Sequence, residues 1–176
     1  MYFEKAGNHN TDKSLKIAFS EAKKRGINHV VIASTWGDTA EKTLEYKKKN
    51  PELNIVIVTH NTGFKTPGVQ EFREDTGKMM KEAGIPVLTG TMVTRNLGRA
   101  IKNKLGFSQE DICCSSWRMF GQGTKVCLEC CLMAADAGLI PVDKDVIAIA
   151  GTGRGADTAW LIRPAHTNNL FALKMK

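Results

Sequence analysis

The sequence predicts an α/β domain: a mostly parallel β-sheet with helices on both faces. Short runs rich in Val and Ile alternate along the chain with longer stretches of helical periodicity. The run 54–59 is apolar at Ile55, Val56, Ile57 and Val58, so both faces of that strand are covered, as in a parallel sheet packed between helices. The end of the chain adds an exception. Only seven residues, 151–157, separate the strand-like runs 146–150 and 158–162. A parallel crossover needs a dozen or more residues, so these two strands pair antiparallel.

Taken in order, Tyr2 and Phe3 read as a short edge strand, and Asn8, Asn10 and Thr11 offer helix N-caps. Leu15, Ile17, Ala18, Phe19 and Ala22 form the apolar face of a first helix, which Gly26 stops. A strand at 29–34 follows, then a helix at 38–49 that halts at Asn50-Pro51. After the strand at 54–59 comes a turn-rich loop, 60–68, and a helix at 70–82 ended by Gly84. A brief strand at 86–89 leads to a helix that opens at Thr94 or Asn96 and reaches Leu105. Residues 108–120 read as helix and 121–124 as a break. The helix at 125–137 is apolar nearly all round and should lie buried against the sheet. The tail, 169–176, has the composition of a last strand.

Size and composition narrow the function classes. The 176 residues suit one domain with a real core, and 1–176 is read as a single unit. The longest apolar runs are strand-sized, too short to span a membrane, and the N-terminus lacks the apolar core of a signal peptide. The cytoplasm is therefore the expected compartment. The net charge of +7 sits mostly in solvated helix faces such as Lys23-Lys24-Arg25 and Lys47-Lys48-Lys49. Few aromatics accompany them, so a small anionic ligand is expected rather than nucleic acid. Self-association is left open.

Four polar, glycine-rich stretches are forced to one side of the sheet. A helix that follows a parallel strand starts at the C-terminal edge of the strands, and so does a helix that precedes one. The stretches 8–11, 34–39, 121–124 and 151–154 therefore share that edge, where open α/β sheets bind ligands. In the stretch 34–39, strand passes to helix through Ser34, Thr35, Trp36, Gly37, Asp38 and Thr39, an arrangement that presents backbone N–H groups to an anion. Asn10 and Thr11 come from the first stretch and Gly121, Gln122 and Gly123 from the third. The loop after the fourth strand contributes Gly151, Thr152, Gly153, Arg154, Gly155 and Asp157, with Arg154 as its cation. His60 stands at the C-terminal end of a strand, within reach of the same edge.

Sharper motifs fail on context. Gly151-x-Gly153-x-x-Ala156 has the letters of a dinucleotide fingerprint, but a strand follows it where a helix is required. Gly121-Gln122-Gly123-Thr124-Lys125 lacks the glycine that precedes the lysine of a P-loop. The five cysteines read as buried core residues: Cys127-x-x-Cys130 lies inside a helix with no second pair at zinc spacing. No metal site is expected, and no catalytic constellation is visible. Glu129 and Asp136, on the apolar helix, are either partners of buried polar groups or site residues.

These motifs carry a family resemblance. Ala33-Ser34-Thr35-Trp36-Gly37-Asp38-Thr39-Ala40 resembles the strand and phosphate loop of the pyruvate kinase C-terminal (alpha/beta) domain. Nearly the whole chain resembles stand-alone proteins built like that domain, through Gly63-Phe64-Lys65, Met119-Phe120-Gly121-Gln122-Gly123, residues 133–141, residues 151–159 and Ile162-Arg163-Pro164-Ala165-His166. The resemblance implies a three-layer α/β/α sandwich with strand order 3-2-1-4-5 and the fifth strand antiparallel. It also implies a flavin mononucleotide (FMN) in the crevice, its phosphate in the 34–39 loop, with Gly63 and Phe64 beside it. It does not imply pyruvate kinase activity, whose catalytic barrel needs far more chain than 176 residues. Two functions stay open: an FMN binder, with or without oxidoreductase activity on an unknown substrate, and a non-catalytic module that senses a phosphorylated metabolite.

Overall fold

The computed structural model describes residues 2–176. Twelve α-helices and β-strands follow one another: α1 (Thr11–Arg25), β1 (His29–Ala33), α2 (Asp38–Lys49), β2 (Asn54–Val58), α3 (Glu74–Glu82), β3 (Val87–Leu88), α4 (Asn96–Leu105), α5 (Gln109–Arg118), α6 (Gln122–Asp136), β4 (Val146–Ala150), β5 (Thr158–Arg163) and β6 (Lys174–Met175). They build one six-stranded sheet of order β3-β2-β1-β4-β5-β6. β1 pairs parallel with β2 and β4, β2 pairs parallel with β3, and β5 runs antiparallel to β4. The short β4–β5 connection thus makes the expected hairpin; of the tail expected as strand, residues 169–172 lie instead in a 3-10 helix, Thr167–Ala172, and only β6 joins the sheet, antiparallel to β5.

Strand periodicity divides the core between two faces. Val30 and Ile32 of β1 point to one face, with Ile55, Ile57, Ile147 and Ile149, and meet Leu15 and Phe19 of α1 and Ala40 of α2. Val31 points to the other, with Val56, Val58, Ala148 and Ala150, and meets Cys127, Leu128, Cys131 and Ala135 of α6. Complete burial of a side chain such as Ile32 stabilises the fold by roughly 1.5–3 kcal/mol, which fixes the register against a one-residue slip.

Three further boundaries depart from the sequence reading. Tyr2 and Phe3 form no strand. Residues 70–73 are not helical: Gln70 Oε1 accepts the Phe72 N–H at 2.9 Å, and Arg73 N–H donates to Trp36 O at 3.3 Å, so α3 begins only at Glu74. α6 starts earlier, at Gln122, so the stretch 122–124 is its first turn rather than a break. Gly123 permits this: a Cβ there would lie 2.1 Å from Thr158 Oγ1, so only glycine lets the helix pack that close to β5. Among the described residues, no helix is long and apolar enough to cross a membrane.

Candidate functional site

A crevice of about 250 Å³ opens at the C-terminal edge of β1, β2 and β4, between the α2 side and the α6 side of the sheet. Its first wall is the loop from β1 to α2. Ser34 N–H continues the ladder to Val58 O at 2.9 Å, and Ser34 Oγ accepts the Ala40 N–H at 3.2 Å, which caps α2. Gly37 turns the chain with φ 112°. Among the described residues, no acceptor within the chain meets the backbone N–H groups of residues 35–39 or the Thr39 hydroxyl. Thr35, Trp36, Asp38 and Thr39 line the crevice, so these donors stand at its edge on the positive end of the helix dipole.

The β4–β5 loop forms the facing wall through Gly151, Gly153, Arg154 and Gly155. Arg154 reaches across to Asp38, Nη2 to Oδ2 at 2.9 Å and Nε to Oδ2 at 3.2 Å. Arg73 holds the other carboxylate oxygen, Nη1 to Oδ1 at 2.7 Å. Arg73 first, and Arg154 second, hold the Asp38 carboxyl below the usual carboxylate range, so Asp38 stays ionised and compensated.

His60, Phe64 and Arg95 close a third side. His60 Nδ1 lies 3.1 Å from Glu71 Oε2, and Nε2 lies 3.4 Å from Thr35 Oγ1. A carboxylate only accepts, so Nδ1 carries the proton and Nε2 of the neutral ring faces the Thr35 hydroxyl. Burial pushes the His60 ring below its ordinary value of 6.5, against the smaller opposing pull of Glu71. An NMR titration of this ring is expected to give a midpoint below 6.5; a higher one would mean that Glu71 outweighs burial. Because the folded-state value is depressed, the unfolded chain binds the proton first. Stability is therefore expected to decline as pH falls below 6.5. The Phe64 ring packs on His60 with centroids 4.0 Å apart, and the Arg95 guanidinium lies 4.6 Å from the centre of the Phe64 ring.

The floor belongs to α6: Gln122, Lys125, Val126, Glu129, Cys130 and Met133. Lys125 and Glu129 form an ion pair with side chains only 2% and 4% exposed. Glu129 Oε1 also accepts the Thr94 N–H at 3.1 Å and the Thr94 hydroxyl. Glu129 is thus both a partner for a buried group and a residue of the crevice.

Of the remaining residues singled out in the sequence, Asn10, Thr11 and Asp157 lie behind the hairpin loop. Thr11 Oγ1 accepts the Ala156 N–H at 3.0 Å, Asp157 Oδ2 accepts the Gly7 N–H at 2.8 Å, and Asn10 Nδ2 donates to Lys5 O at 2.7 Å. Thr152 is exposed and donates its N–H to Asp157 at 3.2 Å. Gly63 closes the 60–69 loop on Val69 O at 2.9 Å. Gly121 turns the chain into α6, and Gly123 faces β5. Gly37 faces Thr76 of α3. These eight shape or support the crevice from outside its lining.

The sequence reading missed Lys125, Arg95 and Met92, all of which line the crevice. Its expected helix began at Lys125, where a lysine would sit at a solvated end. A start at Gln122 moves Lys125 inside the buried face, four residues before Glu129. The cysteines are all free, and burial pushes the thiols of Cys127, Cys130 and Cys131 well up. Elemental analysis is expected to find no zinc; about one zinc per chain, lost on replacing Cys127 and Cys130, would overturn this.

Residues 12–162 match the family described as pyruvate kinase, alpha/beta domain. The chain belongs to that family. Two solved structures of pyruvate kinase from Cryptosporidium parvum, one in complex with ADP, are 13% and 14% identical to it, each with a TM-score of 0.47. Each match covers 88% of this chain but only 23% and 24% of the kinase chain, so this pyruvate kinase alpha/beta domain spans about a quarter of those proteins.

Proposed function

We propose that the crevice binds a small phosphorylated ligand, with flavin mononucleotide as the first candidate. The observation that carries this reading is the set of N–H groups of residues 35–39 at the N-terminus of α2 that find no acceptor among the described residues, beside the Thr39 hydroxyl. Arg154 adds an exposed charge: its side chain is 68% exposed and spans the mouth from the opposite wall. Asp38 would repel a phosphate, but Arg73 and Arg154 both offset it.

The rest of the lining fits a flavin ring. Phe64, Met92, Val126 and Met133 offer apolar surface beyond the anion end. When bound, a flavin would supply electron-transfer chemistry; the chain's part is to hold the phosphate, shield the ring and keep His60 neutral beside it. A smaller phosphorylated metabolite, sensed without chemistry, is the second reading. The volume of about 250 Å³ favours it, since small-molecule sites run to roughly 300–1,000 Å³.

The absorbance spectrum of purified protein and a mass spectrum of any co-purifying molecule test the choice. Titration then follows with FMN, riboflavin and a sugar bisphosphate. FMN binding at least about tenfold tighter than riboflavin supports phosphate capture, a difference of about 1.4 kcal/mol. Failure of FMN and the sugar bisphosphate alike would end both readings. Arg154→Ala is expected to weaken FMN by about 1.5 kcal/mol, the low end for a charged hydrogen bond because the side chain is exposed and must first leave Asp38. Arg154→Lys should recover part of that, keeping the charge without the fork. Wild-type affinity in Arg154→Ala at both low and moderate salt would exclude the contact.

A further inference from the structure

The Lys125 ammonium is buried with more donors than the chain satisfies. An ammonium carries three N–H donors. Among the described residues, Lys125 Nζ has one partner, Glu129 Oε2. Glu129, by contrast, has partners on both oxygens: Oε2 takes Lys125, while Oε1 takes the N–H and hydroxyl of Thr94. Burial of unmet donors is costly, and both Lys125 and Glu129 line the crevice. Helix position sets where these donors lie. α2 packs on one face of the sheet, through Ala40, and α6 packs on the other, through Cys127, Leu128 and Cys131. A ligand whose phosphate sits at the start of α2 must cross the sheet edge to fill the crevice, and its far end then arrives at α6.

Charge narrows the chemistry of that far end. Lys125 and Glu129 neutralise each other, so this end of the crevice offers hydrogen-bond donors without net positive charge. A second phosphate would gain little there and would lie beside the Glu129 carboxylate. A neutral acceptor, a carbonyl oxygen or a ring nitrogen, takes the spare donors without that repulsion.

We propose that Lys125 Nζ is a second ligand-contacting group, which donates to a neutral carbonyl or ring-nitrogen acceptor at the end of the ligand remote from its phosphate, while Glu129 and Thr94 hold it in place. The crevice is therefore bipartite and selects a phosphomonoester with a carbonyl-bearing or heterocyclic head over a bisphosphate. This inference rests on the phosphate-binding reading above.

The test pairs a variant with the wild-type protein. Lys125→Met with Glu129→Gln removes both charges together, and its fold is checked by circular dichroism. FMN is expected to bind this double variant at least about tenfold more weakly, while inorganic phosphate binds within about twofold of wild type. In wild-type protein with labelled lysine, the Nζ signal in slowest exchange, that of the buried lysine, is expected to move on adding FMN and to stay on adding inorganic phosphate. This second arm decides the matter if the double variant does not fold. FMN bound equally well by both proteins would overturn the Lys125 contact and leave the phosphate reading standing. Equal weakening of FMN and inorganic phosphate would also overturn it, since the effect would then lie at the anion end. Wild-type protein that binds a sugar bisphosphate but not FMN would overturn the Lys125 contact alone, and failure of FMN, inorganic phosphate and the sugar bisphosphate alike would overturn both readings together.

Discussion

Lys125→Met alone is expected to destabilise the protein by about 3–5 kcal/mol, and adding Glu129→Gln is expected to recover most of that loss. The single variant leaves the Glu129 carboxylate, 4% exposed, without its counter-charge. Two donors from Thr94 remain, but a buried carboxylate also needs its charge balanced. The double variant removes both charges and keeps the side-chain volumes close, and the amide introduced at position 129 still offers an oxygen to Thr94. Exchanging a buried ion pair for neutral residues of similar size is often neutral or even stabilising. Urea unfolding of the two single variants and the double variant measures the coupling. Losses that simply add would mean the pair is not a unit, and would remove the reason for treating Lys125 as a residue fixed in place. The arrangement fits a site better than a scaffold, because an apolar pair at 125 and 129 would serve packing at least as well.

Much of this architecture was legible from short-range patterns. The four-residue apolar run Ile55–Val58 announced a doubly covered strand, and the brevity of 151–157 announced the hairpin; both depend only on local periodicity and chain length. The convergence of 34–39, 122 and 151–155 at one edge followed from topology, since helix direction fixes which end of the sheet each loop occupies. Side-chain direction was not legible. Thr11 and Asp157 share the edge with the crevice yet spend their polar atoms on backbone N–H groups of the hairpin loop and the N-terminus. Asp38 reads in the sequence as one residue of the 34–39 loop, which does not reveal that Arg73, thirty-five positions away, joins Arg154 in holding it. The Lys125–Glu129 pair needed the true start of α6, and that depended on Gly123 meeting Thr158, a contact between distant segments.

Gly37→Val is expected to lose about 2–6 kcal/mol of stability together with affinity for FMN. From the sequence alone, a side chain at this glycine is expected to block close backbone approach to a ligand and to strain the turn, with the fold left largely intact. The structure directs the obstruction inward. Gly37 has φ 112°, in the region that a β-branched residue adopts only under strain of roughly 1–3 kcal/mol. A Cβ built there lies 2.8 Å from Thr76 Oγ1 and 2.9 Å from Thr76 Cγ2. Thr76 is fully buried in the first turn of α3, and its hydroxyl donates to Glu41 of α2, so it cannot move aside alone. Overpacking of this kind costs about 1–3 kcal/mol more. Glu41 also accepts from Arg73 at 2.7 Å, and Arg73 holds Asp38, so separating α3 from α2 loosens the crevice wall that carries the N–H groups of residues 35–39. Thermal unfolding should register the change, at about 2–4 °C per kcal/mol for a chain of this size. Gly37→Ala brings the same Cβ, and combining it with Thr76→Ala removes the two closest atoms. That double variant is expected to regain the packing part of the loss and keep the backbone part. A thermal midpoint for Gly37→Ala equal to wild type would mean that the turn relaxes freely and does not depend on glycine at all.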